Sequence, residues 1–111
     1  MDSAEVYTEI NTGLRTTLDF GFGGNHSLCH GDLGNIDILL EASNRLGEPA
    51  WRAHAEQIAA KILHNNMSGT EWVCGNPAGI ESPGLMTGLA GIGYGLLRLA
   101  DPTLPCLLAL A

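Results

Sequence analysis

Cys29 and His30 stand side by side, follow the glycine-rich stretch Gly21-Phe22-Gly23-Gly24-Asn25 and precede Gly31. A thiolate and an imidazole are both good zinc ligands. Adjacent residues reach one ion only where the backbone bends sharply, and a glycine-flanked helix start permits that bend. The N-terminal end of a helix also favours negative charge, which suits a thiolate ligand. Against this, a Cys-His pair arises easily by chance, and two ordinary turn residues are the plain alternative. Zinc takes four ligands, and no complete set is evident. His26 could reach the same centre, and so could Cys74 if its loop folds back, but neither spacing demands it. His54 and His64, about three helical turns apart, read as solvent-facing, and Cys106 beside Pro105 reads as core.

Other chemistries fail on context. Gly88, Gly91, Gly93 and Gly95 do not form a dinucleotide fingerprint, because no strand precedes them and the spacing is wrong. There is no G-x-S-x-G elbow, no phosphate-binding loop and no carboxylate pair that spacing singles out.

The elements that position these residues are helical. Val6, Ile10, Leu14 and Leu18 recur every four residues behind Asp2, which can cap a helix with Glu5 at its third position, so the spacing predicts a helix over 3–19. Leu33, Ile36, Leu39 and Leu40 predict a second over 32–46, stopped by Gly47. Pro49 opens a third over 50–66, with Trp51, Ala55, Ile58, Ala59, Ile62 and Leu63 on its apolar stripe. Leu89, Ile92, Leu96 and Leu99 predict a fourth over 88–100, ended by Asp101-Pro102. Between the third and fourth lies a long loop in which only Trp72-Val73-Cys74 has strand character. The apolar tail from Leu104 should pack on the remainder.

Composition narrows the function further. The 111 residues carry 12 acidic and 5 basic side chains, a formal charge of −7, and 45% are apolar. That describes one packed domain, argues against disorder, and makes nucleic acid or an anionic membrane an unfavourable partner. The longest nearly uncharged apolar stretch, Leu85 to Leu97, is too short to span a bilayer. Asp2, Glu5, Glu9 and Asp19 occupy the place of a basic-then-apolar leader, so the expected location is cytoplasmic. Three cysteines at wide spacing do not suggest a disulfide framework.

An internal repeat organises the chain. Leu28-Cys29-His30-Gly31-Asp32-Leu33-Gly34 overlays Leu85-Met86-Thr87-Gly88-Leu89-Ala90-Gly91 at an offset of 57, and each copy puts Gly-x-x-Gly at the start of an apolar helix. The unit is a helical hairpin, and hairpins of this kind stack because one alone cannot bury its apolar face. Two copies make an incomplete array. Residues 1–111 therefore read as a single partial domain, which leaves Leu33, Ile36, Leu40, Leu89, Ile92 and Leu96 partly uncovered and favours self-association.

The blocks Ser27-Leu28-Cys29-His30-Gly31-Asp32-Leu33-Gly34-Asn35 and Gly79-Ile80-Glu81-Ser82-Pro83-Gly84-Leu85-Met86-Thr87-Gly88-Leu89-Ala90-Gly91-Ile92-Gly93-Tyr94-Gly95 resemble, in this order, the C-terminal end of lanthionine synthetase cyclases. The likeness is to the cyclase domain of bifunctional class II enzymes that modify lantibiotic precursor peptides, and it runs from about Asn25 to the tail. It implies an all-α fold, part of an α/α toroid whose glycine-rich helix entrances meet at a central site. It also implies that Cys29 and His30 are zinc ligands. There, a substrate cysteine completes the zinc site, becomes a thiolate, and adds to a dehydroalanine or dehydrobutyrine of the same peptide to close a thioether ring. The resemblance puts a third ligand, a cysteine in a Trp-Cys-x-Gly motif, and the general acid/base histidine upstream of the Cys-His-Gly block, where no residue of this chain matches them. Trp72-Val73-Cys74-Gly75 comes after that block, and its tryptophan does not adjoin the cysteine, so the ligand role is not carried to Cys74. The implied partners are the precursor peptide and either the remainder of a cyclase or a second copy, and the isolated chain is expected to be inactive. The alternative is a non-catalytic helical module that self-associates or docks on a partner subunit.

Overall fold

A computed structural model describes residues 3–67, 72–77 and 80–108. It is all-α, with α1 at Ser3–Phe20, α2 at Asp32–Leu46, α3 at Pro49–Met67 and α4 at Leu89–Ala100. The expected bounds hold within one residue at each end. Gly88 is the N-cap of α4 and not its first residue, and Gly47 ends α2 in the left-handed conformation at φ 67°, where a glycine meets no Cβ penalty. Asp2, the expected cap of α1, lies outside the described residues.

The short link between α2 and α3 folds them into an antiparallel hairpin, and α4 packs on the other side of α2. This makes α2 the inner helix. Leu33, Ile36, Leu39 and Leu40 are fully buried and meet Trp51, Ala55 and Ala59 of α3 and Ile92 of α4. Burying each of these leucines and isoleucines is worth about 1.5–3 kcal/mol, which anchors the frame on α2. Glycines set the α2–α4 approach: a Cβ added at Gly95 would lie 3.0 Å from the Leu33 Cβ, and one at Gly91 would lie 3.1 Å from the Leu28 Cβ.

Four expectations need correction. Leu33, Ile36, Leu40 and Ile92 are not uncovered, because α3 and α4 close over α2 from both sides; the exposed apolar residues near α4 are Ile80, Leu85, Met86, Leu89 and Leu97. The α1 stripe is buried only at Leu14, with Leu18 packed beside it, while Ile10 stands exposed. Leu63 of the α3 stripe is also exposed. Trp72 to Cys74 does not form a strand: Val73 pairs with the single residue His26, and one of the two bonds goes to an imidazole nitrogen instead of a backbone carbonyl. There is no strand among the described residues.

Up to Leu108, the last described residue, the tail packs as expected. Arg98 is 2% exposed and donates through Nε to Asp37 at 2.7 Å, through Nη2 to Glu41 at 2.9 Å, and through Nη1 to the Pro102 and Leu104 carbonyls. The buried Cys106 thiol donates to the other Asp37 oxygen at 3.1 Å, and Tyr94 Oη donates to the Pro105 carbonyl at 2.6 Å. One guanidinium thus ties α2, α4 and residues 102–104 together.

Candidate metal centre

The sequence repeat is a repeat of structure. The N-caps Gly31 and Gly88 share one backbone conformation, φ −113° and ψ −169° against φ −117° and ψ −165°. Asp32 N–H donates to the Asn25 carbonyl, and Leu89 N–H donates to the Ser82 carbonyl, both at 2.7 Å. Asn25 Oδ1 accepts from Ser27 N–H, and Ser82 Oγ accepts from Gly84 N–H, again at matching positions. Gly34 and Gly91 each lie so close to the carbonyl of the leucine six residues before them, Leu28 and Leu85, that no Cβ fits. The two entrances touch at equivalent residues, since Cys29 N–H donates to the Met86 carbonyl at 2.7 Å.

A strap, Trp72 to Asn76, crosses both entrances. His26 N–H donates to the Val73 carbonyl at 2.7 Å, and Gly75 N–H donates to the Thr87 carbonyl at 2.7 Å. Val73 N–H donates to His26 Nδ1 at 2.8 Å, which leaves the ring proton on Nε2, and the imidazole stands edge-on to Trp72 with centroids 5.0 Å apart. Burial lowers the pKa of His26 from its ordinary value, and the Asp32 carboxylate opposes that shift only in part.

On this frame Cys29 and His30 are exposed, on the turn immediately before Gly31. Beneath them Ser27 is fully buried, its Oγ 3.5 Å from His30 N–H. The other sequence candidates lie elsewhere. His26 is held by Val73 and Trp72, Cys74 is buried in the core cluster, and His64 is exposed on α3. His54 is half-buried instead of solvent-facing and lines, with His26, Asp32 and Lys61, a cavity of about 680 Å³ beside the first entrance. Among the described residues no three His, Cys, Asp or Glu side chains form a group that could hold a metal ion. The donor types of Cys29 and His30 fit zinc, but they supply half of a tetrahedral set. Sequence reading missed the strap and Ser27, because nothing in the local pattern of 72–76 announces contacts to residues some 45 positions upstream.

Comparison with known proteins fits this architecture. A family profile described as lanthionine synthetase C-like protein matches residues 1–109. The chain belongs to that family. It is also 38% identical over 80 residues to the lacticin 481/lactococcin biosynthesis protein LcnDR2 of Lactococcus lactis subsp. lactis, a match covering 67% of this chain and 8% of that protein. The chain thus corresponds to less than a tenth of the length of this curated relative. No solved structure matches. No helix among the described residues is long and apolar enough to cross a membrane.

Proposed function

We propose that the chain serves a zinc-dependent lanthionine cyclase, contributing Cys29 and His30 as two zinc ligands to a site at the mouth of an α/α toroid. The observation that carries this reading is the contrast between the two entrances. Both make the same turn with the same backbone bonds, yet the positions of Cys29 and His30 are filled at the second entrance by Met86 and Thr87. The turn therefore does not require Cys-His. Zinc ligation at the first entrance would give Cys-His its reason to be there.

Zinc so placed would supply activation of a substrate cysteine as thiolate for addition to a dehydrated residue of a lantibiotic precursor peptide. What this chain's own residues do is hold geometry. Gly31 and Gly34 fix the helix start, Ser27 supports the His30 backbone, and the Cys29–Met86 bond ties the site to the second entrance. The remaining protein ligand and the group that protonates the enolate would come from outside these 111 residues, so the chain alone should close no ring. Zinc analysis and ring-closure assays on the intact cyclase test this: Cys29→Ala and His30→Ala should each lose the metal and the activity. Retention of full zinc by both variants would remove the reading.

The second reading, a helical module that self-associates or docks on a partner subunit, is favoured by the apolar residues Leu85, Met86, Leu89 and Leu97 exposed on and before α4. Light scattering on the 111-residue chain at micromolar concentration should then give at least a dimer mass, and Leu85→Lys with Leu97→Lys should return a monomer. The location in either case is the cytoplasm, where reduced thiols are kept.

A further inference from the structure

Gly75 is the residue of the strap that lies against His30. A Cβ added there would sit 2.8 Å from His30 Cε1, 3.0 Å from His30 Nε2 and 2.6 Å from Ser27 Oγ. Among the described glycines only Gly23 and Gly47 have positive φ, so the Gly75 backbone suits any residue. What excludes a side chain at 75 is the space held by the imidazole and the hydroxyl beneath it. The Gly75 backbone is itself fixed, because its N–H donates to the Thr87 carbonyl at the second entrance, and its neighbour Cys74 is buried in the core.

We propose that Gly75 is a positioning residue for His30: the bare backbone of the strap forms the wall against which the imidazole rests, setting where Nε2 points. The inference rests on His30 being a zinc ligand, and it adds the element that aims it. The three close neighbours of the absent Cβ are side-chain atoms, so Gly75→Ala is accommodated by swinging the exposed His30 ring and rotating the buried Ser27 hydroxyl about its Cα–Cβ bond, and it leaves the fold in place. A ligand whose ring is displaced binds metal weakly, because its lone pair no longer lies along the required direction.

The test follows the four imidazoles of the 111-residue chain by long-range proton–nitrogen NMR while zinc chloride is added. Gly75→Ala should keep the helical circular dichroism, shift the His30 ring signals without moving those of His64, and raise the zinc concentration that half-saturates the His30 shift at least tenfold. Identical His30 signals and identical zinc response in wild type and Gly75→Ala would overturn the positioning role. If zinc at millimolar concentration leaves the wild-type His30 ring unmoved, the half set alone does not hold the ion and the comparison is made on the intact cyclase, where full zinc retention by Gly75→Ala overturns the positioning role and full zinc retention by His30→Ala overturns the ligand assignment. Should Gly75→Ala fail to fold, the same measurements are made on Gly75→Ala with Ser27→Gly, in which only the His30 contact opposes the new Cβ.

Discussion

The backbone N–H of Cys29 donates to the carbonyl of Met86, the residue 57 positions later that occupies the same place in the internal repeat. The two helix entrances therefore meet through main-chain atoms at equivalent points, and neither side chain takes part in that bond. Scaffold and chemistry are separable at this site, since the fold needs the backbone of Cys29 and the proposed chemistry needs its thiol.

That separation predicts the behaviour of the ligand variants. Both side chains are exposed, so Cys29→Ala and His30→Ala should change folding stability by no more than about 0.5 kcal/mol, the range of ordinary surface substitutions. Urea denaturation of the metal-free chain checks this. A loss of several kcal/mol would mean that the pair holds the turn together and is not reserved for metal.

Glycine substitutions should split by position. Gly13 lies inside α1 with nothing within 4 Å of an added Cβ, so Gly13→Ala should stabilise the chain by about 0.5–1 kcal/mol through helix propensity. Gly34 faces the Leu28 carbonyl within the entrance turn, and backbone cannot give way as a side chain can. Gly34→Ala should therefore destabilise, by at least the 1–3 kcal/mol typical of forcing extra carbon into a packed site. Opposite shifts in the urea midpoint are the expected result.

Helix periodicity and glycine stops were enough to place all four helices, because each stripe needs only neighbours within two turns. The 57-residue repeat was also legible, and the matching N-cap dihedrals at Gly31 and Gly88 show why its glycines recur. The ion network could not be read this way. Arg98 and Glu41 are repeat equivalents of opposite charge that bond one another, and Asp37 lies 61 residues from Arg98, a pairing that exists only once α4 has docked on α2. The strap was missed for the same reason, since its partners His26 and Thr87 belong to different entrances.

Removing one member of the buried network should be costly. Arg98→Ala leaves Asp37 in the interior without its cation and frees the Pro102 and Leu104 carbonyls, and breaking a buried pair typically costs about 3–5 kcal/mol. Arg98→Met combined with Asp37→Leu should cost markedly less, because no buried charge is then left alone. Comparing the two unfolding curves separates the penalty of an orphaned charge from the net value of the pair.

The last prediction concerns pH and the strap. The Val73 N–H needs a lone pair on His26 Nδ1, which a protonated imidazole lacks, so acid removes this bond and places a second donor against the first. Burial lowers the His26 pKa in the folded chain below its unfolded value of 6.5. Between those two values the unfolded chain binds more protons than the folded one, and stability rises with pH there. The contribution is thus complete above pH 6.5, declines as pH falls below that value, and is gone once pH drops below the folded pKa. Glu41 adds a separate acid step, because its bond to Arg45, joined by that to Arg98, lowers its pKa from 4.5, and the stability it contributes is lost only as pH falls from there through its folded value. His26→Gln offers an amide oxygen that accepts the Val73 N–H at every pH. It should flatten the decline that sets in below pH 6.5 while leaving the Glu41 step below pH 4.5 intact. Urea midpoints measured across this range should show the upper step in wild type and not in His26→Gln; an upper step unchanged by the substitution would assign it to another histidine and detach the strap from the titration.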